Sequence, residues 1–271
     1  MPEPIIRTQR IGNVLEIVLD RPPVNAINRE MSRAIYAALK TLQDDPELSV
    51  GVIIGNGDRV FSAGWDLKDV ASSGFDPSHD ANNEIGHGDG GFAGITEYHD
   101  LLKPVVAAVN GVAIGGGFEM ALACDVIIAA DHAYFELPEM QRGFLADSGA
   151  IQRLPKRIPY NVAKDMLLTG RRMSAEEAER WGLVASVHDG ADLRQAAIDL
   201  ATRIGKGAPL ALQAMKEVMA HIETFSTADA MSLTKPGKSG LRVYERMAHS
   251  EDFLEGPRAF VEKRPPVWKG R

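Results

Sequence analysis

The stretch from Lys103 to Glu139 reads KPVVAAVNGVAIGGGFEMALACDVIIAADHAYFELPE. Its apolar runs 105–109 and 126–130 are typical of buried strands. Three glycines at 115–117 lie between these runs and lead into residues 118–123, which we predict to be a short helix. The order strand, glycine turn, helix, strand predicts a right-handed crossover.

The glycine turn can carry chemistry. The first N–H groups of a helix have no partner inside it and favour negative charge. Gly116 and Glu119 are about one helical turn apart, so the Gly116 N–H and the Glu119 carboxylate can serve one cavity. A donor for oxyanion charge beside a carboxylate suits proton transfer next to a carbonyl. The alternative is a helix start packed on a sheet, with Glu119 solvated.

The composition limits the class of protein. The chain has 271 residues, 45% of them hydrophobic and 25% charged, which is ordinary for a soluble globular protein. The net charge of −7 disfavours non-specific nucleic-acid binding. The single cysteine, Cys124, excludes an internal disulfide, fits a reducing compartment, and is expected to be a buried filler rather than a nucleophile.

No apolar run approaches the roughly 20 residues that cross a bilayer, and the N-terminus MPEPIIRTQR has no apolar segment of signal length. We therefore expect a soluble, cytoplasmic protein with no membrane partner. Residues 71–94 are rich in Gly, Ser, Asp, Asn and His, so they are either a functional flap or partly disordered. His79 and His87 lack ligand spacing, and we predict no metal site.

Hydrophobic periodicity predicts further elements along the chain. The predicted strands outside the central stretch are 5–8, 14–19, 50–54 and 183–187. The predicted helices are 29–42 with Asn28 as N-cap, 157–168, 174–181, 193–204 and 210–221. Because strands end near residue 187, we expect an active-site core at 1–190. We expect a helical layer at 191–271 that packs on the core or on a neighbouring subunit.

Two more segments could line a site. In FSAGWDL, residues 61–67, a Ser-Ala-Gly turn offers an exposed N–H at Ala63; the alternative is a plain loop with Asp66 as N-cap. Ser62 does not lie in a G-x-S-x-G elbow, which argues against a hydrolase nucleophile. Asp147 is either an N-cap or a third carboxylate that faces the cavity.

These stretches together resemble the crotonase (enoyl-CoA hydratase/isomerase) superfamily. The resemblance rests on F-S-A-G-x-D-L at 61–67, K-P-V-x-A-A-V-N-G at 103–111, G-G-G-F-E at 115–119 and L-P-E at 137–139, in family order and spacing. One branch, the carnitinyl-CoA dehydratases, is also similar at the stretches 62–68, 90–94, 169–173, 249–252 and 262–271.

The resemblance implies an α/β fold, a spiral of repeated ββα units with a C-terminal helical region that assembles trimers, often paired as hexamers. It implies an acyl-CoA thioester substrate, with coenzyme A as part of the substrate and no tightly bound cofactor. The activity would be that of a hydro-lyase, which reversibly adds or removes water (syn-type) at the α,β bond. The alternative is an enoyl- or dienoyl-CoA isomerase that uses the same site; an RNA-binding relative and a nicotinamide oxidoreductase fit less well.

The resemblance also implies roles for single residues. The N–H groups of Ala63 and Gly116 would hold the thioester oxygen, Glu139 would take the α-proton, and Glu119 would protonate the departing hydroxyl or activate water. The residues that would bind the substrate are Ser62, Gly64, Trp65, Asp66, Leu67, Gly115, Asp147, Phe260 and Lys263. Phe260 and Lys263 match positions that reach a neighbouring subunit's coenzyme A.

One loop departs from the common hydratase pattern. Many hydratases have Pro-Gly-x-G-G after the second glutamate, whereas residues 146–150 here read ADSGA. Asp147 falls where dienoyl-CoA isomerases carry a working aspartate. We expect that Asp147 could face a polar or cationic acyl group, and that Trp65 could attract a trimethylammonium group by a cation–π interaction.

Overall fold

The computed structural model describes residues 4–68, 86–222 and 224–271. The strands in these ranges are β1 (Ile6–Ile11), β2 (Val14–Leu19), β3 (Val50–Gly55), β4 (Val60–Ser62), β5 (Val105–Val109), β6 (Val112–Ile114), β7 (Val126–Ala130), β8 (Tyr134–Glu136), β9 (Met173–Ser174) and β10 (Val187–His188). They form a six-stranded sheet in the order β1-β2-β3-β5-β7-β10 and a four-stranded sheet in the order β4-β6-β8-β9.

The described α-helices are α1 (Arg29–Asp44), α2 (Gly116–Ala123), α3 (Ala150–Arg157), α4 (Tyr160–Thr169), α5 (Ala175–Arg180), α6 (Leu193–Ile204), α7 (Pro209–Ile222), α8 (Thr227–Ala230), α9 (Arg242–Ala248) and α10 (Glu251–Val261). Within the described ranges, 3-10 helices lie at Phe92–Gly94, Glu139–Arg142 and Met231–Thr234. Asn28 caps α1 as predicted, since its side chain accepts a hydrogen bond from the Met31 N–H at 2.9 Å.

The strands of the large sheet follow from their side-chain patterns. β1 and β2 pair antiparallel. β3 and β5 are buried along their whole length and pair parallel, as do β5 and β7. Continuous apolar runs of this kind are typical of parallel strands covered on both faces. The parallel pairing of β5 and β7 around α2 confirms the predicted crossover; its handedness stays a prediction.

Between β3 and β8, the chain contributes strands to the two sheets alternately. β3, β5 and β7 enter the large sheet, and the strand after each, β4, β6 or β8, enters the small one. The small-sheet strands β4, β6 and β8 also pair parallel with one another. This alternation confirms the predicted spiral of ββα units. β6 and β8 were not predicted, because three-residue strands carry too short a pattern to recognise.

The helix α6 belongs to the core. Leu193, Ala197 and Ala201 are fully buried within the same apolar cluster as the large sheet. Arg194 also forms an ion pair with the buried Glu16 of β2, at 2.6 Å. α6 therefore packs on the core, as one of the two alternatives for the helical layer requires, and the boundary at residue 190 stays a prediction.

Further differences from the predicted elements lie in the connections. The predicted helix 157–168 corresponds to α4, which begins only at Tyr160 because Pro159 is its N-cap residue. The predicted strand 183–187 is only Val187–His188. Near the C-terminus, the Asp252 carboxylate accepts hydrogen bonds from the N–H groups of Lys269 and Gly270, so the tail folds back onto α10. His79 lies outside the described residues.

Candidate active site

Glu119 lies in the first turn of α2 and is only 4% exposed. Its Oε1 atom accepts a hydrogen bond of 3.0 Å from the N–H of Ala150, the first residue of α3. The helix begins two residues earlier than the sequence predicted, at Gly116 rather than Phe118. Glu119 is therefore buried between two helix starts, and the alternative of a solvated Glu119 is wrong.

Glu139 follows Pro138 and opens a 3-10 helix, with 5% of its surface exposed. A Cβ atom placed on Gly115 would lie 2.5 Å from its Oε1 atom, so only glycine lets this carboxyl group approach the start of α2. Its Oε2 atom is buried and has no hydrogen-bond partner among the described residues. An unsatisfied buried oxygen is costly, and it is what a proton acceptor awaiting a substrate would present.

Burial is the largest effect on both carboxyl groups, and it raises the pKa of Glu119 to about 7. The N–H of Ala150 opposes this shift, whereas the charges of Glu139 and Asp147 add to it. Burial likewise raises the pKa of Glu139, and the charge of Asp147 adds to that shift. Glu139 lies against Gly115, the N-cap of the helix that carries Glu119, so the two carboxyl groups lie at the same helix start.

The N–H of Gly116 is an unpaired donor at this site. Gly116 is the first residue of α2, and we find no acceptor for its N–H within the described ranges. A Cβ atom on Gly116 would lie 2.4 Å from the Phe92 ring, so this ring covers the helix start. The Phe92 ring thus makes the surroundings of Gly116 partly apolar, and a hydrogen bond to an oxyanion is strong in such surroundings.

The prediction that the Ala63 N–H is available to the thioester oxygen is wrong. The N–H of Ala63 donates to the carbonyl oxygen of Val24 at 3.0 Å, so it is already engaged. Sequence reasoning could not detect this, because the acceptor lies on a loop distant in the chain. A second donor from the 61–67 turn would therefore have to be another residue.

Trp65 offers such a donor. The carbonyl oxygen of Gly64 accepts from the Ile27 N–H at 2.7 Å, and the Asp66 N–H donates to the Ile27 carbonyl at 3.0 Å. In a trans peptide the N–H points opposite to the C=O of the same unit, so the Trp65 N–H points away from Ile27. Gly64 lies against α2, since a Cβ atom on it would be 2.8 Å from the Gly116 nitrogen.

The other residues of this turn hold it in shape. The buried Ser62 hydroxyl donates to the Asn25 carbonyl at 2.7 Å and accepts from the Gly64 N–H at 3.1 Å. The Asp66 carboxylate pairs with Arg21 at 2.6 Å and accepts from the Lys68 N–H at 3.2 Å. Both side chains therefore support the turn, and Leu67 beside them is partly exposed.

Asp147 is exposed and is not a helix cap, because Gly149 occupies the N-cap position of α3 without a side-chain hydrogen bond. The alternative of a third carboxylate near the cavity is the one that fits. The sequence reasoning did not find Phe92, Phe144, Ala150 or Arg153, which also belong here. Arg153 is held by the Thr96 carbonyl at 2.6 Å and lowers the pKa of Glu119 slightly against the larger effect of burial.

Phe260 and Lys263 are not brought to this site by the fold of one chain. Both are exposed on and after α10, and Phe260 is 85% exposed. Their predicted contact with a neighbouring subunit's coenzyme A stays a prediction. Cys124 is fully buried, as expected, and burial raises the pKa of its thiol to about 12. Within the described ranges, no cluster of three or more possible metal ligands is present, and no helix is apolar over a membrane-spanning length.

Known proteins resemble this chain over nearly its full length. Residues 9–271 match the family model described as enoyl-CoA hydratase/isomerase. The carnitinyl-CoA dehydratase of Proteus mirabilis is 50% identical over 260 residues, which cover 96% of each chain. The carnitinyl-CoA dehydratase of Salmonella arizonae is 50% identical over 265 residues, which cover 98% of each chain.

Solved structures of enoyl-CoA hydratases also resemble this chain. The enoyl-CoA hydratase of Mycobacterium tuberculosis superposes with a TM-score of 0.85 at 35% identity, over 99% of this chain and 100% of its own. The enoyl-CoA hydratase of Bacillus anthracis gives a TM-score of 0.86 at 31% identity, over the same shares of the two chains. With the spiral of ββα units and the full-length family match, the chain belongs to the enoyl-CoA hydratase/isomerase family, the crotonases.

Proposed function

We propose that this protein is an acyl-CoA hydro-lyase of the carnitinyl-CoA dehydratase type. The observation that carries the proposal is the pair Glu119 and Glu139, two buried carboxyl groups beside the unpaired N–H of Gly116. Removal of water from a 3-hydroxyacyl thioester needs a base at the α carbon and an acid at the β carbon. The relatives named above support the same reaction class.

In the dehydrating direction, the Glu139 carboxylate takes a proton from the α carbon, and the electron pair moves onto the thioester oxygen. The N–H groups of Gly116 and Trp65 donate to that developing oxyanion, and one such donor contributes roughly 3 kcal/mol to lowering the barrier. The protonated Glu119 then gives its proton to the β-hydroxyl group, which leaves as water while the α,β double bond forms.

The pKa of Glu119 suits both directions. At a pKa of about 7, Glu119 keeps its proton in a large share of the molecules in a neutral solution, and this is the form that dehydration needs. In hydration the same proton starts on Glu139, and the Glu119 carboxylate activates water. The raised pKa of Glu139 makes its carboxylate a stronger base than an exposed glutamate. Coenzyme A would enter and leave as part of the thioester, with no tightly bound cofactor.

The test is turnover of crotonobetainyl-CoA, crotonyl-CoA, longer enoyl-CoA and dienoyl-CoA by three variants. Glu119→Gln and Glu139→Gln should each lower kcat by at least about 10²-fold while the CoA ester still binds. Glu176→Gln on the exposed face of α5 is the matched control and should leave kcat unchanged. Near-normal turnover by either active-site variant would reject the assignment.

An isomerase is the second candidate, because Asp147 falls where dienoyl-CoA isomerases carry a working aspartate, although this residue does not choose between the two activities. An isomerase moves double bonds with the same oxyanion site but needs no water. Absorbance of the conjugated enoyl thioester separates the two activities when 3-hydroxyacyl-CoA and dienoyl-CoA are compared. Turnover of dienoyl-CoA without turnover of any hydroxyacyl-CoA would favour the isomerase.

We also propose that the protein acts in the cytoplasm as a homotrimer or a dimer of trimers. Large apolar side chains exposed beyond α6 support assembly through this region: Met215, Met219, Phe225, Met231, Phe253, Leu254, Phe260 and Val261. The one cysteine, buried and unpaired, is compatible with a reducing compartment. Light scattering should give three or six times the chain mass, and a monomer at micromolar concentration would contradict this proposal.

A further inference from the structure

We propose that Arg153 is a positioning residue for this reaction, because it joins the helix start that holds Glu119 to the segment that covers Gly116. The inference rests on the proposed hydro-lyase function, since it assigns the side chain that keeps the acid of that reaction in place. Arg153 acts through Glu119 and is not itself an acid or a base, because a guanidinium group keeps its charge. The covering segment is residues 92–96, which are the 3-10 helix Phe92–Gly94 and the two residues after it.

The guanidinium group of Arg153 lies at the start of α3. Gly149 is the N-cap residue of this helix and has a φ of +129°. A Cβ atom on Gly149 would collide with the Nη1 atom of Arg153, so the side chain bends back toward the helix start. The next residue, Ala150, donates its N–H to the Glu119 carboxyl group. The positive charge of Arg153 therefore lies beside the peptide group that binds Glu119.

The other side of the guanidinium group is held by the segment 92–96. Its Nη2 atom donates to the carbonyl oxygen of Thr96 at 2.6 Å. Thr96 is buried, and its hydroxyl group donates to the carbonyl oxygen of Phe92 at 2.9 Å. The Phe92 ring covers Gly116. One side chain thus connects the helix start that holds the acid with the residue that lies over the oxyanion donor.

The segment 92–96 is itself anchored to α1, so it can serve as a fixed support. The Ser32 hydroxyl of α1 accepts a hydrogen bond of 3.0 Å from the Ala93 N–H. Ala93 has a φ of +55°, which is uncommon for a residue other than glycine. Gly94 packs so closely on α1 that a Cβ atom on it would collide with the Ser32 carbonyl oxygen. We therefore expect loss of the Arg153 contact to move the start of α3 rather than this segment.

The charge of Arg153 acts mainly on Glu119. The ionisable groups that act on Arg153 are Glu119, Cys124 and Glu97, and those that act on Glu119 are Glu139, Asp147 and Arg153. Burial raises the pKa of the Cys124 thiol to about 12, so the thiol is neutral at pH 7. Glu97 is exposed, and the solvent screens its charge. Because a nearby positive charge favours the carboxylate, loss of the guanidinium group should raise the pKa of Glu119 further.

The experiment replaces Arg153 and records kcat/KM against pH for hydration of crotonyl-CoA or crotonobetainyl-CoA, whichever the wild-type protein turns over. Arg153→Met should lower kcat by about 10- to 100-fold, because the acid loses its support. The alkaline limb of its pH profile should move to higher pH, since this limb reports the loss of a proton from the free enzyme. Arg153→Lys retains a positive charge, so its alkaline limb should stay at the wild-type pH while part of kcat is restored.

The matched control is Arg171→Met. The Arg171 guanidinium group is also partly exposed, and it joins Asp165 of α4 to Glu177 of α5. Its loss removes a similar structural contact from a neighbouring pair of helices, but neither carboxylate acts on Glu119. The alkaline limb and kcat of this variant should therefore equal those of the wild type.

Two further measurements separate positioning from a general loss of structure. Butanoyl-CoA is saturated and cannot be hydrated, and calorimetry should give its affinity for Arg153→Met within about 2-fold of the wild type, because Arg153 acts on the chemistry rather than on binding. In a Glu119→Gln background, Arg153→Met should lower kcat by less than about 3-fold, because the effects of residues that act as a unit are not additive.

An alkaline limb that stays at the wild-type pH in Arg153→Met, or an equal loss of kcat with and without Glu119, would overturn the inference and make Arg153 a structural residue only. If this variant does not fold, Arg153→Gln gives the same test with a polar, uncharged side chain, and a moved alkaline limb in Arg153→Lys would also overturn the inference. Absence of turnover of every CoA ester by the wild-type protein would instead refute the proposed function.

Discussion

Replacement of Glu119 by glutamine should stabilise the folded protein at alkaline pH while it removes activity. Glu119 is 4% exposed, and its pKa is raised from 4.5 to about 7, mainly because burial disfavours the ionised form. Between these two pKa values the folded state holds a proton that the unfolded state has released. The free energy of unfolding therefore falls as the pH rises through this window.

The magnitude follows from the two pKa values. A shift of about 2.5 units corresponds to about 3 kcal/mol of stability that is lost well above pH 7. By the same linkage relation, the loss is about 1 kcal/mol near pH 5 and about 3 kcal/mol near pH 8. Glutamine has no charge at either pH. The stability of Glu119→Gln relative to the wild type should therefore increase by about 2 kcal/mol between these conditions.

The assay is urea unfolding of both proteins near pH 5 and near pH 8, at one fixed protein concentration because assembly contributes to apparent stability. The difference of differences cancels effects that do not depend on pH, such as a changed hydrogen bond to the Ala150 N–H. Glu176→Gln, whose side chain is largely exposed, should give no such change. A pH-independent difference between Glu119→Gln and the wild type would refute the burial of an ionisable group at this position.

Three further outcomes follow from the same geometry. The kcat/KM values of dehydration and hydration should both fall as the pH rises through about 7, because each direction starts from an enzyme in which the two glutamates together hold one proton; pH profiles that diverge between the two directions would contradict these roles. Gly115→Ala should reduce kcat by about 10²-fold, because its Cβ atom would displace the Glu139 carboxyl group. An unchanged kcat, or a crystal structure of the variant with Glu139 in its original position, would contradict this prediction. Cys124 should resist thiol reagents in the native state and react only after unfolding; native labelling at a rate typical of free cysteine would contradict its burial.

The large sheet could be predicted from the sequence because its strands are nearly continuous apolar runs. Residues 105–109 and 126–130 coincide with β5 and β7 as predicted. The small sheet could not be predicted, since β6 and β8 have three residues each and their side chains are only partly buried. A strand of this length is determined by its parallel neighbours rather than by its own pattern.

The helices also differ in whether local sequence signals or packing against the rest of the fold determine them. α1 has a side-chain cap at Asn28 and was predicted almost to its end. The extent of α3 was not predicted, because Pro155 lies inside it and proline removes a hydrogen bond from a helix interior. Burial of Ala150 and Leu154 against the core stabilises α3 despite this loss. Tertiary packing thus overrode a local signal that argued against a helix.

In the candidate site, residues close together in the sequence could be linked by their spacing, whereas a distant residue could not. Gly116 and Glu119 lie within one helical turn, so local spacing was enough to place the donor and the acid together. Glu139 is twenty positions further along the chain, and only the resemblance to the family linked it to them. Its approach to Gly115 is a contact between the end of one spiral unit and the middle of the preceding one, and no periodicity in the sequence reports such a contact.

The two oxyanion donors illustrate why a motif can be right when the residue assigned within it is wrong. In a regular strand the N–H groups of residues 63 and 65 would point the same way, and either could serve. Gly64 has a φ of +82°, which breaks this alternation, so that the Ala63 N–H and the Asp66 N–H both face residues 24–27. The peptide between Gly64 and Trp65 then presents its carbonyl to Ile27 and its N–H to the opposite side. The requirement for glycine at 64 and the identity of the second donor therefore have one cause, the positive φ that reverses this peptide.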